Sequence, residues 1–112
     1  MTATYNLIVP QATTFTFQFQ IKTNNTVWNL TNYTATMTVR PFIGSTTTTL
    51  LATTANGKIV LDALNGRATV TFSATNTNIK AQPYVYDFVF NSGSEITRIL
   101  EGQFIVTAGV TV

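Results

Sequence analysis

The chain contains no cysteine and no histidine. Disulfides, thiolate metal sites, cysteine nucleophiles, serine–histidine pairs and imidazole acid–base chemistry are therefore excluded. Charge is scarce as well. Only 9 % of residues are charged, six bases against four acids, for a net +2, well under the ~25 % of an average domain. The bases Lys22, Arg40, Lys58, Arg67, Lys80 and Arg98 are scattered, so no stripe tracks a nucleic-acid backbone. No apolar run approaches the ~20 residues of a membrane-spanning helix. The start, MTATYNLIVPQ, lacks a basic region followed by an apolar core, so no secretory signal is expected there. No calcium loop and no glycine-rich phosphate motif occurs, and neither cofactor nor metal is expected.

Hydrophobic residues are nonetheless plentiful, at 45 % of 112. Low charge without low hydrophobicity argues for a folded chain rather than a disordered one. The length suits one domain spanning residues 1–112. Threonine and asparagine supply the polarity that charge usually provides, and threonine, being β-branched, suits the wet side of a strand.

The periodicity is that of strands. Thr4–Val9 reads as a first strand at an edge, ended by Pro10. Phe15, Phe17, Phe19 and Ile21 alternate with Thr16, Gln18 and Gln20, one face dry and one wet. Tyr33, Ala35, Met37 and Val39 alternate with threonines up to Arg40, and Pro41 follows. Gly44–Thr49 is a polar loop. Leu50–Ala52, Lys58–Leu61 and Arg67–Ser73 are short strands around the turn signals Asn56-Gly57 and Asn65-Gly66. Ala74–Ala81 reads as a one-turn helical link between sheets. Trp28 and Tyr33 are expected to plug an end of the core, and Tyr84 to occupy a tyrosine-corner position. Ala108–Val112 either extends the last strand or detaches. The expected fold is all-β: an antiparallel two-sheet β-sandwich, immunoglobulin-like, of about seven or eight short strands. An open oligonucleotide-binding-type barrel is the alternative.

The most apolar stretch is PYVYDFVF, NSGS, EITRILEGQFIV, from Pro83 to Val106. It predicts a hairpin with Asn91–Ser94 as loop. Phe90 would then face Glu95, Val89 face Ile96, Asp87 face Arg98 and Val85 face Leu100. Tyr84, Tyr86, Phe88, Phe90 and Ile99 share one face. Val85, Val89, Ile96 and Leu100 surround the Asp87–Arg98 pair on the other. One apolar face is enough for a core, so the second points to a partner. The alternation does not say which is which. Tyr84, Tyr86, Phe88, Phe90, Ile99, Asp87 and Arg98 are the candidate interface residues. The Asp87–Arg98 pair is either an exposed cross-strand pair or a buried one that sets register.

The four acids are Asp62, Asp87, Glu95 and Glu101. Glu95 and Glu101 lie some ~20 Å apart along one strand, too far to act on one bond, and Asp87 is accounted for by Arg98. No enzyme is expected. Asn24-Asn25-Thr26, Asn29-Leu30-Thr31 and Asn32-Tyr33-Thr34 match the glycosylation pattern, as a chain this rich in Asn and Thr does by chance.

NLTNYTATMTVRP, NGRATVTFSAT, PYVYDFVF and TRILEGQFIV together resemble a family of small virion proteins of tailed bacteriophages. The likeness runs from about Tyr5 to Val106 and is carried by Asn29–Arg40, Asn65–Ala74 and Tyr84–Gly102. The N-terminal domain of phage baseplate upper proteins is similar in layout. The sequence departs from that pattern in that Asn29 stands where an acid is common. The resemblance implies an immunoglobulin-like domain, built into a virion assembled in the host cytoplasm. It would act as a tail, baseplate or fibre-attachment block, or alternatively as a capsid decoration protein. Its partners would be other virion proteins and itself as a homo-oligomer, with no nucleic acid and no membrane. A carbohydrate-binding module, with Trp28, Tyr33 and Tyr84 stacking on sugar rings, is the further alternative.

Overall fold

The computed structural model describes residues 3–23 and 26–109. The strands are β1 (Ala3–Thr4), β2 (Leu7–Pro10), β3 (Phe15–Gln20), β4 (Lys22–Thr23), β5 (Thr26–Val27), β6 (Thr34–Arg40), β7 (Leu50–Thr53), β8 (Ile59–Asp62), β9 (Arg67–Phe72), β10 (Pro83–Asn91) and β11 (Ile96–Thr107). A short helix, α1 (Ala74–Thr77), joins β9 to β10. Strands β1, β4 and β5 are two residues each. The glycosylation pattern at Asn24-Asn25 and the end of the tail at 110–112 lie outside the described residues.

Two sheets make the layers. The larger runs β1–β11–β10–β6–β7, with β2 continuing the β1 side along β11. The smaller runs β3–β9–β8. They meet through aromatic rings set edge to face. Phe19 meets Phe88 at 4.9 Å between ring centres, Phe72 meets Phe104 at 5.8 Å and Phe15 meets Phe104 at 6.1 Å. Edge-to-face pairs add about 0.5–1.5 kcal/mol beyond their burial. The fold is all-β with two sheets.

The alternation read from the chain places the inward residues. Ala68, Val70 and Phe72 of β9 and Ala35, Met37 and Val39 of β6 are buried, while the threonines between them stay wetter. The link at Ala74 starts as a capping box. Ser73 Oγ accepts from the Asn76 N–H, and Asn76 Oδ1 accepts from the Ser73 N–H. It carries the chain from the smaller sheet to the larger. Its Thr77 is fully buried, and the hydroxyl donates to the Thr13 carbonyl at 2.6 Å while accepting from the Thr13 N–H at 2.9 Å.

Three expectations change. First, the sheets are not wholly antiparallel, because β1 and β2 run parallel to β11. Parallel neighbours need a long crossover, and here the rest of the chain provides it. Second, the hairpin loop is Ser92–Glu95. Asn91 stays in the strand opposite Ile96, its side chain accepting from the Gly93 N–H at 2.7 Å, and the Ser92 N–H reaches the Glu95 carbonyl at 3.0 Å. Third, the register slips between Phe88 and Val89: Val89 faces Arg98, Phe88 faces Leu100, and Ile99 is the extra residue of a β-bulge. Asp87 therefore faces Glu101, not Arg98, and Val85 faces Gln103, not Leu100.

Candidate interaction surface

The five apolar members of the expected interface are in the core. Tyr84, Tyr86, Phe88, Phe90 and Ile99 are all buried, so as interface residues they are corrected. The reason is the inward alternation of β10, together with the bulge, which turns Ile99 inside and leaves Leu100 packed against the same core. Asp87 and Arg98 point the other way, onto the outer face of the larger sheet. That face reads as cross-strand rows. Thr4, Glu101, Asp87, Thr38 and Leu51 form one row, with Asn6, Gln103, Val85 and Arg40 on one side of it. Arg98, Val89, Thr36 and Thr53 form the row on the other side.

The charges at its centre follow from the bulge. Residues three apart in a regular strand point to opposite faces. The extra residue at Ile99 brings Arg98 and Glu101 to the same one. Asp87 and Glu101 are then directly opposite like charges, and Arg98 lies between them: Nε is 3.5 Å from Asp87 Oδ2, and Nη1 is 3.6 Å from Glu101 Oε1. The side chains of Arg98, Asp87 and Glu101 are 55 %, 36 % and 47 % exposed. The pair is thus the exposed kind, each bridge worth under ~1 kcal/mol. Its greater effect is to offset the repulsion between the two carboxylates.

The next turn of β11 shows why Gly102 stands where it does. The Tyr5 N–H donates to the Glu101 carbonyl at 2.9 Å, and the Asn6 side-chain oxygen accepts from the Gln103 N–H at 3.0 Å. Between them the Tyr5 carbonyl turns in over Gly102, where a Cβ would overlap its oxygen. That carbonyl accepts from the Tyr86 hydroxyl at 2.6 Å. Burial first, and Tyr5 second, push the Tyr86 phenol up from 10.0 to about 12. Burial likewise raises Tyr84, whose hydroxyl donates to the Lys80 carbonyl at 2.8 Å.

A groove of about 560 Å³ opens along these rows, from Thr4 and Asn6 across Val85 and Asp87 to Arg40. Its wall is the turn after β6. Ser45 N–H donates to the Phe42 carbonyl, Arg40 Nη1 donates to the Ser45 carbonyl, and Gly44 takes φ +90°. The turn holds Phe42 and Ile43 out in solvent, 62 % and 88 % exposed. Reading the strands passed over these two residues. Their signal was two large apolar side chains between Pro41 and Gly44 outside any alternation.

The outer face of the smaller sheet differs. Thr16 and Thr71 hydroxyls pair at 3.3 Å, Gln18 donates to Thr69 Oγ at 2.9 Å, and Gln20 donates to the Asn65 carbonyl at 2.8 Å. The expected sugar platform does not assemble: Tyr84 is in the core, Tyr33 stacks edge to face on Phe90, and Trp28 is partly buried against the core. Among the described residues no group of three or more acids, histidines or cysteines could hold a metal, and no helix is long and apolar enough to cross a membrane.

Neither a protein-family model nor a curated protein sequence matches this chain.

Proposed function

We propose that this chain is a non-enzymatic structural protein of a tailed-phage virion. It serves as a tail, baseplate or fibre-attachment block, and it docks on neighbouring virion proteins or further copies of itself through the outer face of the larger sheet. The observation that carries this reading is the groove on the outer face of the larger sheet with the exposed turn at its wall. That face has exposed Ile43, with exposed Phe42 next to it in the same turn, beside a groove where Arg98 bridges Asp87 and Glu101. The outer face of the smaller sheet sets a Thr/Gln ladder beside exposed Val60 and the cross-strand Asp62–Arg67 pair. Apolar anchors beside paired charges are what a protein surface recognises. The docking residues are Phe42, Ile43, Val85, Asp87, Arg98 and Glu101.

The fold reading becomes finer with it. β3–β9–β8 against β11–β10–β6–β7, with β2 parallel to β11 on the outer side, supports an immunoglobulin-like arrangement. The Tyr84 hydroxyl reaching back to Lys80 supports it too, as a tyrosine corner would. The likeness of the Tyr84–Gly102 segment to phage virion proteins supports the setting.

The test is a Phe42→Asp, Ile43→Asp double variant. Both side chains are solvent-exposed, so the melting temperature should hold, while co-purification with the particle should fall by about tenfold or more. Incorporation at the wild-type level would overturn the reading.

A further inference from the structure

β3 is the free edge of the smaller sheet: it pairs with β9 on one side and, among the described residues, with nothing on the other. Its open backbone groups can be assigned. The Ile21 N–H reaches the Gly66 carbonyl, and Thr13 uses both its N–H and its carbonyl on Thr77. Backbone direction alternates along an antiparallel pair. Phe15, Phe17 and Phe19 therefore direct their backbone groups to β9, and Thr16 and Gln18 direct theirs outward. Among the described residues, no partner takes the outward N–H and carbonyl of Thr16 or Gln18.

This edge carries none of the usual guards. Proteins blunt free edges with charge, proline or bulges, yet Thr13–Ile21 contains no charge and no proline. The other free edges are shorter or interrupted: β7 and β8 have four residues each, and β2 ends on Pro10. The edge also leaves the core uncovered. Phe15, Phe17 and Phe19 face inward but remain only partly buried. Beside them lies a slot of about 310 Å³ between β3 and β1, lined by Phe17, Phe19, Leu100 and Tyr5, with no charged residue on it.

We infer that this slot is a strand-acceptor site. It takes one extended segment donated by a different protein chain, uncharged and apolar at alternate positions. The segment would pair its backbone with Thr16 and Gln18 and insert its apolar side chains against Phe17 and Phe19. An unpaired edge selects an extended backbone, and the flanking pockets select alternate side chains. The neutral lining disfavours charged segments. The width argues against a second copy pairing edge to edge. β3 stacks on β11 and β10 while β1 projects beyond β11, so two β3 strands at the ~4.8 Å pairing distance would bring two β1 segments into one space.

The probe is a fluorescently labelled, end-blocked peptide of alternating threonine and valine, set against the same peptide with a central proline. Each is titrated into the full chain by fluorescence anisotropy, with amide exchange read at Thr16 and Gln18. The straight peptide should bind about tenfold or more tightly than the interrupted one, and both amides should become protected. Gln18→Pro removes an outward N–H, which an edge strand tolerates, and should weaken binding by a similar factor. Thr16→Lys should weaken it likewise, and it keeps the test open should the proline variant not fold. Equal binding of the two peptides, no binding through the millimolar range, or protection of the two amides on raising protein concentration alone would each overturn the assignment. The last outcome would give the edge to a second copy.

Discussion

The two outer faces of this molecule are built by the same alternation and differ in how far it is kept. On the smaller sheet the outward residues of β3 and most of those of β9 are Thr or Gln, pairing across strands as neutral side chains, with Val60 and the Asp62–Arg67 pair beside them. On the larger sheet one extra residue at Ile99 breaks the alternation. Arg98, Asp87 and Glu101 are brought together, and Gly102 is placed under the Tyr5 carbonyl. The lesson is that regularity makes a wall and irregularity makes a site. A strand that keeps its period offers one repeated surface. A bulge and a glycine let neighbouring rows differ.

If that is right, the larger sheet around its bulge and Gly102 should be sensitive to substitution and the outer face of the smaller sheet indifferent. The largest effect is expected at Gly102→Ala. The added methyl would displace the Tyr5 carbonyl, loosen β1 and break the Tyr86 hydrogen bond. We expect about 3 kcal/mol of destabilisation or more in urea unfolding, the upper end for overpacking. Next comes alkaline pH. Tyr86 prefers its neutral form in the fold, so its contribution is intact below pH 10. It is lost as pH rises toward about 12, because the unfolded chain releases the proton first. Over that window stability should fall by about 2–3 kcal/mol. Tyr86→Phe should flatten much of the slope and cost about 1–2 kcal/mol at neutral pH by leaving the Tyr5 carbonyl without that donor. Thermal unfolding from pH 8 to 12 would read both.

Smaller still is Arg98→Ala, which leaves Asp87 and Glu101 opposed. A loss of about 0.5–1 kcal/mol is expected, shrinking as salt is added. Asp87→Ala should cost less than Arg98→Ala, since it also removes the repulsion with Glu101. At the bottom of the scale, Thr69→Ala and Gln18→Ala on the smaller sheet should stay within ~0.5 kcal/mol. A smaller face as sensitive as the larger would break the comparison.

What the sequence disclosed follows the same division. Phe15, Phe17 and Phe19, and Ala68, Val70 and Phe72, were legible because period two carries the information locally. The hairpin was legible as a hairpin, but its register was not. The bulge at Ile99 lies three residues before Gly102, over which Tyr5 from the other end of the chain fits, and no local pattern encodes that contact. Thr77 was hidden because threonine everywhere else marks the wet face. Phe42 and Ile43 were passed over because they belong to no strand. Of the candidate interface residues, Asp87 and Arg98 lie on the outer face, whereas the five apolar residues expected beside them form the core.

The central claim is that one outer face docks and the other does not. The direct measurement is incorporation of two variants into assembled particles, side by side. One carries Phe42→Asp and Ile43→Asp on the larger face, and the other carries Thr69→Asp and Thr71→Asp on the smaller. The account predicts that the first is depleted from particles by about tenfold or more while the second enters as wild type does. Equal incorporation of both, or depletion of the second alone, would contradict it.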